Sequence, residues 1–484
     1  MTRTKMLIDG VWVVGEGDAI EVRNPARGSV VGTVSHATPA EVDLALRAAR
    51  LAFGDWSKRP PVERARLLKR AAHIIRERKS DLGRLMTSEQ GKPVNEAVGE
   101  ISKLADTFDF YAEEATRVFG EIIPNDSNAY QSLVVREPIG VVAAISPWNY
   151  PAELIGWKVA AGLTAGCTLV VKPPELTPLS PLAIMECMVD AGLPAGTINM
   201  VTGKGSTVGQ QMVESDIPDK IAFTGSSAVG LHIQQSLKNI KRLSLELGGN
   251  CPMIVTAQAN LDQAVKGAAR RSFRNCGQIC IAINRIYVER AAYEPFLEKL
   301  AAAADSLVVD DGLENPDADL GALCSQEPLD KTKQHLADAL ERGARLVAGG
   351  RAPDAPGLEN GLFFRPTVVA DCSHDMKVMT EETFGPLVGV TAFDKHAEAV
   401  RMANDTPYGL ASYLYTKNMD EMRYYSRHLD YGNVAVNNVD AGIISAPYGG
   451  WKQSGIGVEH AREGLLEYLN YKHVRLCFDE DALQ

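Results

Sequence analysis

The sequence predicts an α/β protein made of two doubly wound α/β domains and a small β arm. Three observations carry this. From residue 139 to about residue 248, short apolar runs alternate with helical stretches. A second series of the same kind begins after Gly249, and two strand-like segments, 132–136 and 471–477, stand outside both. Buried strands alternating with helices give a parallel, doubly wound sheet, whose ligands gather at the carboxyl ends of the strands.

Residues 6–8 and 11–14 read as short strands, and 39–52 and 62–79 carry apolar residues at the three- and four-residue spacing of helices. The run 139–145 ends at Ser146-Pro147-Trp148-Asn149, and the run 168–171 ends at Lys172-Pro173-Pro174. The run 198–201 ends at Thr202-Gly203, and 220–223 ends at Thr224-Gly225. Each leads into a helical stretch, so these motifs are expected at carboxyl strand ends. In the second series 251–255, 285–288 and 388–393 are the expected strands, which puts a boundary near residues 246–249. The lone strands 132–136 and 471–477 should pair with each other or with another subunit, because unpaired edges invite association.

A chain of 484 residues is too long for one core and calls for two or three domains. The hydrophobic share of 45% and charged share of 23% are globular, which excludes disorder. A net charge of −11 leaves no basic surplus for phosphates, so no nucleic-acid partner is expected. The basic stretch 69–78 reads as a solvated helix face. Residues 1–18 hold no apolar run of signal-peptide length, and the weakly polar run 159–171 falls short of the roughly 20 residues a membrane helix needs. The expectation is a cytoplasmic protein with no membrane partner. Its eight cysteines include no CxxC pair, which argues against a disulfide frame or a zinc ribbon. Cys276 and Cys280 lie four apart but lack a nearby His or second pair, so no metal is expected. Whether these two thiols link under oxidation is left open.

Five segments hold residue types that carry chemistry. In Asn275–Ala282, NCGQICIA, Gly277 lets the backbone bend, and a Cys280 thiolate would be a strong nucleophile. The other reading of Cys280 is a small buried hydrophobe. Glu246, before Leu247-Gly248-Gly249, is either a general base at a strand end or a surface carboxylate at a turn. Asn149, in Pro147-Trp148-Asn149-Tyr150-Pro151, is either a donor to a developing oxyanion or a plain turn residue. The turn Phe223-Thr224-Gly225-Ser226 through Gly230 suits a phosphate at a helix start without matching GxGxxG. Lys172 and Glu175 are either ribose contacts or a solvated pair.

Taken together and in order, these segments resemble the aldehyde dehydrogenase superfamily over nearly the whole chain, from about residue 8 to about residue 474. The resemblance implies that Cys280 attacks an aldehyde to give a thiohemiacetal, with Asn149 and the Cys280 backbone N–H as oxyanion hole. It implies Glu246 as the base for the hydrolytic water, and Lys158 and Glu459 as a relay for its proton. It implies NAD as cofactor, with NADP also accommodated. Ile145, Ser146, Pro147 and Trp148 would line its cleft, with Lys172 and Glu175 on the adenosine ribose. Gly225, Ser226 and Gly230 would take the pyrophosphate, and Glu382 and Phe384 the nicotinamide ribose and ring. A carboxylate at 175 accepts from free ribose hydroxyls and repels a 2′-phosphate, which favours NAD. The family's acylating branch lacks the base that Glu246 supplies, so hydrolysis to a free acid is favoured over transfer to coenzyme A.

The implied domains are 1–116 with 139–248 for NAD(P), 249–453 for catalysis, and 117–138 with 467–484 as the oligomerisation arm of a homodimer or homotetramer. For the aldehyde, the general run is most similar to the succinate-semialdehyde branch, and Arg274 matches an arginine that branch uses on the substrate carboxylate. Its other arginine is replaced by Trp157, which with Tyr150 could form an aromatic lining. A semialdehyde and an aryl or other neutral aldehyde both stay open. Arg274 has a second reading, holding the active-site loop through backbone carbonyls. The reading from a different class is a non-catalytic binding or structural protein on the same fold. Retention of Cys280, Glu246 and Asn149 argues against it.

Overall fold

The structure is a computed structural model that describes residues 3–479, and the following statements concern those residues. The first large sheet has eight strands, and its centre is Val141–Ile145 between Thr168–Lys172 and Lys220–Thr224. The chain builds outward on one side through Thr168–Lys172 to Ile198–Met200, then crosses to Lys220–Thr224 and Arg242–Glu246 on the other. These pairings are parallel, and the order reverses between Val141–Ile145 and Lys220–Thr224, which is where a doubly wound sheet opens its crevice. All five residues of Val141–Ile145, Thr168–Lys172 and Lys220–Thr224 are buried, as strands covered on both faces by helices must be. The strands Met6–Ile8 and Val11–Val13 close one edge, and Gly455–Ile456 returns antiparallel to Arg242–Glu246 at the other.

Local chemistry fixes the helices around this sheet. Pro39–Trp56 opens with a capping box in which Thr38 and Glu41 satisfy each other's backbone N–H groups. The residues 39–52 and 62–79 read as helical lie in Pro39–Trp56, Pro61–Glu77 and the start of Lys79–Gln90. Glu153–Ala165 is buried nearly all round, and Gly156 admits the Leu104 side chain where a Cβ would sit 2.2 Å away.

The second sheet has seven strands, centred on Ile283–Glu289, with Cys251–Val255 and then Ala411–Tyr415 beside it on one side. Leu387–Phe393 and Thr367–Ala370 extend it in parallel, with Arg345–Ala348 and Asn433–Val436 at its edges. The chain passes from the carboxyl end of Arg242–Glu246 to the amino end of Cys251–Val255 within four residues. The carboxyl ends of the first sheet therefore meet the amino ends of the second. This corrects the expectation that every site motif lies at a carboxyl strand end. Cys280 precedes Ile283–Glu289, and Glu382 and Phe384 precede Leu387–Phe393.

The arm is a three-stranded sheet, with Tyr130–Pro138 between Glu121–Ile123 and Leu469–Cys477. The two lone strands pair with each other, Tyr471 opposite Arg136 and Arg475 opposite Ser132. Residues 1–2 and 480–484, included in the expected segments, lie outside the described residues.

Candidate active site

Helix Leu261–Phe273 ends at Arg274, and the chain then passes three left-handed residues, Asn275 (φ 49°), Cys276 (φ 54°) and Gly277 (φ 70°). Side-chain-bearing residues rarely adopt this conformation, so neighbours must hold it. Gln90 Nε2 donates to Asn275 Oδ1 (3.1 Å), while Asn275 Nδ2 donates to the Asn149 carbonyl (3.0 Å). Gln278 accepts from Cys324 N (3.0 Å) and donates to the Asn275 carbonyl (2.9 Å). At Gly277 a Cβ would lie 2.2 Å from the Gly385 carbonyl oxygen. The loop so built presents Cys280, half-buried, with its sulfur 3.4 Å from Tyr448 Oη. Burial pushes the thiol up to about 12; the Tyr448 hydrogen bond opposes this, while the Glu382 and Glu246 carboxylates add to it.

Asn149 stands beside this loop, buried. Its Nδ2 donates to the Gln278 carbonyl (2.9 Å), which leaves one amide N–H, and its Oδ1 has no partner among the described residues. Its backbone carbonyl accepts from Lys92 Nζ (2.7 Å). Lys92 in turn forms a fully buried ion pair with Glu100 (2.6 Å), whose other oxygen accepts from Ala152 N and Glu153 N (2.9 and 3.1 Å) where helix Glu153–Ala165 begins.

Glu246 ends its strand with both carboxylate oxygens buried and without hydrogen-bond partners among the described residues. Burial holds its carboxyl well above the usual carboxylate range, and the nearby Glu459 raises it further. Glu459 pairs with Lys158 Nζ (2.7 Å), which also donates to Thr224 Oγ1 (2.5 Å). One Glu459 oxygen stays buried and unpartnered. Three elements thus bring Glu246, Lys158 and Glu459 into one buried group.

Several residues expected at a cofactor follow the carboxyl ends of the strands beside the strand-order reversal. Ile145 and the buried Ser146 end the central strand, and the Trp148 ring after Pro147 meets the Phe384 ring edge-on at 5.4 Å. Phe384 sits at φ 57°. Lys172 is buried, donates to the Pro173 carbonyl (3.1 Å), and is lowered by burial to about 8. Glu175 accepts from Gly205 N. Ser226 caps the ten-residue helix Ser227–Ser236 by accepting from Val229 N (3.3 Å), leaving N–H groups of the first turn for an anion. Glu382 accepts from Gly249 N (3.0 Å) and is pushed up to about 7 by burial. Gly230, expected with Gly225 and Ser226 at the pyrophosphate, lies in the first turn of helix Ser227–Ser236. A Cβ there would be 2.5 Å from Leu247, so its lack of a side chain serves helix-to-chain packing. Spare donors at a helix start, a buried amine with N–H groups to offer and a carboxylate beside two glycines fit a dinucleotide.

Of the substrate candidates, Trp157 packs edge-on against Tyr448 (5.5 Å) and His460 (4.1 Å), forming an aromatic wall beside Cys280. Tyr150 donates to Glu96 (2.9 Å) and lies over Lys92 Nζ (3.8 Å). Arg274 Nε donates to the same Glu96 oxygen (2.9 Å), and Asn275 N donates to the other (3.3 Å). Arg274 thus supports the loop through a carboxylate, rather than through backbone carbonyls, and keeps its two Nη groups. Cys276 is buried and donates to the Gly321 carbonyl (3.1 Å), so it and Cys280 have separate partners. Among the described residues there is no cluster of three metal-ligating side chains.

Sequence reasoning missed Glu96, Lys92, Gln278, Tyr448 and His460. The turn Gln90-Gly91-Lys92-Pro93 and the Pro447-Tyr448-Gly449-Gly450 segment were the available signals. For Glu96, which meets Arg274 from 178 positions away, there was none.

The family model of the aldehyde dehydrogenase family matches residues 12–474. The chain is 43% identical over 477 residues to the NADP+-dependent succinate-semialdehyde dehydrogenase of Escherichia coli, covering 98% of this chain and 97% of that one. It is 43% identical over 478 residues to the 3-sulfolactaldehyde dehydrogenase of Pseudomonas putida, with 98% and 97% covered. The crystal structure of betaine aldehyde dehydrogenase from Staphylococcus aureus, in complex with NAD+, superposes with a TM-score of 0.95 at 36% identity, covering 98% of this chain and 94% of that one. The chain belongs to the aldehyde dehydrogenase family. Its activity is the NAD(P)+-dependent oxidation of a small aldehyde through a catalytic cysteine. No helix among the described residues is long and apolar enough to cross a membrane.

Proposed function

We propose that Cys280 is the nucleophile and that the product is a free carboxylic acid. The observation that carries this reading is the grouping of a half-buried thiol, a free Asn149 amide N–H and a partnerless buried carboxylate, Glu246. The Cys280 thiol gives up its proton to solvent, its sulfur bonds to the aldehyde carbon, and the carbonyl electron pair moves to oxygen. The Asn149 Nδ2 and the Cys280 backbone N–H donate to that oxygen. NAD(P)+, when bound, would supply the hydride acceptor, so that loss of hydride from the thiohemiacetal carbon leaves a thioester on Cys280. Glu246 takes a proton from the attacking water, because a carboxyl raised by burial is a better base near neutral pH. The carbon–sulfur bond then breaks and releases the acid. Lys158 and Glu459 pass the proton onward.

The cofactor would be held by residues 145–148, by Lys172 and Glu175, by the Gly225-Ser226 turn, and by Glu382 and Phe384. Glu175 supports NAD over NADP. For the aldehyde, the reading is a semialdehyde whose distal anion meets the Arg274 Nη groups; acid-bearing aldehydes are also the named substrates of the two relatives above. A second reading, a neutral or aryl aldehyde, is favoured by the Trp157, Tyr448 and His460 wall and by the partial neutralisation of Arg274 by Glu96. We further read residues 1–116 and 139–248 as the cofactor domain and 249–453 as the catalytic domain. The arm, with Ile122 71% and Tyr471 64% exposed, would then be an assembly surface. A monomer in sedimentation would refute that last point.

The test is absorbance at 340 nm with NAD or NADP and succinate semialdehyde, glutarate semialdehyde, benzaldehyde or betaine aldehyde, repeated with Cys280→Ala. Reduction abolished by the substitution is expected, fastest with NAD and a semialdehyde. Unchanged reduction in folded Cys280→Ala would remove Cys280 from the mechanism.

A further inference from the structure

The nucleophile sits in a poor place for a negative charge. The thiol is half-buried, and the two nearby carboxyl groups, Glu382 and Glu246, oppose a negative charge on it whenever they are ionised. Arg271, from helix Leu261–Phe273, is the countering cation, but it donates to the Val439 carbonyl (2.5 Å) and lies near Asp440 (3.5 Å). Cys251 and Tyr413, on neighbouring strands of the second sheet, donate to the Cys280 and Ile281 carbonyls (3.6 and 2.7 Å), and burial raises both, so they bring no formal charge near neutral pH. The one side-chain hydrogen bond of the Cys280 sulfur among the described residues is with Tyr448 Oη (3.4 Å), and while the thiol keeps its proton either atom can donate it.

Tyr448 is held so that its hydroxyl stays there. Its backbone N–H donates to the Glu459 carbonyl (2.8 Å), and its own carbonyl accepts from Glu459 N (2.7 Å). Its ring is 2% exposed and lies against Trp157 (5.5 Å) and His460 (5.3 Å), with Gly442 close enough that a Cβ would sit 3.1 Å from it. A phenylalanine would fill this place equally well. What tyrosine adds is one O–H, and a thiolate, having no proton, can only accept from it.

We infer that Tyr448 is a catalytic residue, whose hydroxyl donates to the Cys280 sulfur and holds it as the attacking thiolate. The same hydroxyl again meets a thiolate when the thioester breaks, so it assists both attack and release. This rests on Cys280 as nucleophile, but its test does not require turnover. The rate of Cys280 alkylation by iodoacetamide, read by peptide mass spectrometry from neutral to alkaline pH, reports the thiolate directly.

Tyr448→Phe should move the midpoint of that profile up by about one to two pH units and slow alkylation at neutral pH about tenfold to a hundredfold. Replacing Tyr448 with 2,3-difluorotyrosine, a stronger donor of almost the same shape, should move the midpoint down. A Tyr448→Phe profile that superimposes on the unsubstituted one, or a fluorotyrosine shift in the same direction as the phenylalanine shift, would overturn the inference and leave Tyr448 as packing. Loss of NADH formation in Cys280→Ala, by contrast, tests the nucleophile alone.

Discussion

Replacing Lys92 with methionine should be among the most damaging single changes remote from the thiol. The Lys92 Nζ is fully buried, 2.6 Å from Glu100 and 2.7 Å from the Asn149 carbonyl. Methionine keeps most of the volume and removes the charge. Glu100 would then be a buried carboxylate with two backbone N–H donors and no counter-ion. Breaking a buried pair from one side costs about 3–5 kcal/mol, because the surviving charge is left uncompensated. Replacing both partners removes that charge, so Lys92→Met with Glu100→Gln should recover about 1–3 kcal/mol of the loss. Urea unfolding of the two single variants and the double variant gives the cycle. The Asn149 carbonyl also loses a donor, so turnover should fall in Lys92→Met protein that is still folded. A Lys92→Met protein within about 1 kcal/mol of the unsubstituted one, the range of a surface pair, would refute the reasoning. A double variant less stable than Lys92→Met would do so as well.

The cofactor cleft and the joint between the sheets supply two more. Glu175→Ser removes a carboxylate from the expected ribose position, and like charges about 4 Å apart at the protein surface cost about 1–4 kcal/mol, so kcat/KM with NADP should rise at least about fivefold relative to NAD; an unchanged ratio would separate Glu175 from cofactor choice. Glu382 is pushed from the usual 4.5 to about 7 by burial, so the folded state keeps a proton that the unfolded state releases. That contribution to stability is fully present below about 4.5 and is lost as pH rises through about 7. The stability of the unsubstituted protein minus that of Glu382→Gln should therefore fall across this window in urea titrations, and a flat or rising difference would contradict the burial argument.

Much of the first sheet was legible because parallel strands covered on both faces are continuous apolar runs. The 139–145 run and its successors therefore announce themselves, as do the turn residues Lys172, Thr224 and Glu246 at their ends. The second sheet was read less fully. Asn433–Val436 alternates buried and half-buried residues at an edge, and Ala411–Tyr415 is a buried central strand that combines Ser and two Tyr in five residues. The rule that ligands gather at carboxyl strand ends also misplaced Cys280, since two sheets meet here end to end. Glu246, Lys158 and Glu459 come from three distant segments, and only a motif-level resemblance could group them. The environment of Arg274 was illegible for a different reason. Its partner Glu96 sits on helix Val94–Glu114, where an exposed glutamate would fit the local pattern equally well.

The covalent step can be seen directly in Glu246→Gln. The glutamine matches the glutamate in shape but cannot take a proton from water, so thioester hydrolysis should slow about a hundredfold to ten-thousandfold while sulfur attack and oxidation continue. Mixed with NAD and succinate semialdehyde and quenched in acid, this variant should show a rapid burst of NADH matching the number of sites. Peptide mass spectrometry should find one succinyl group on Cys280. A burst with no acyl group on Cys280, or with the group on another residue, would contradict the mechanism.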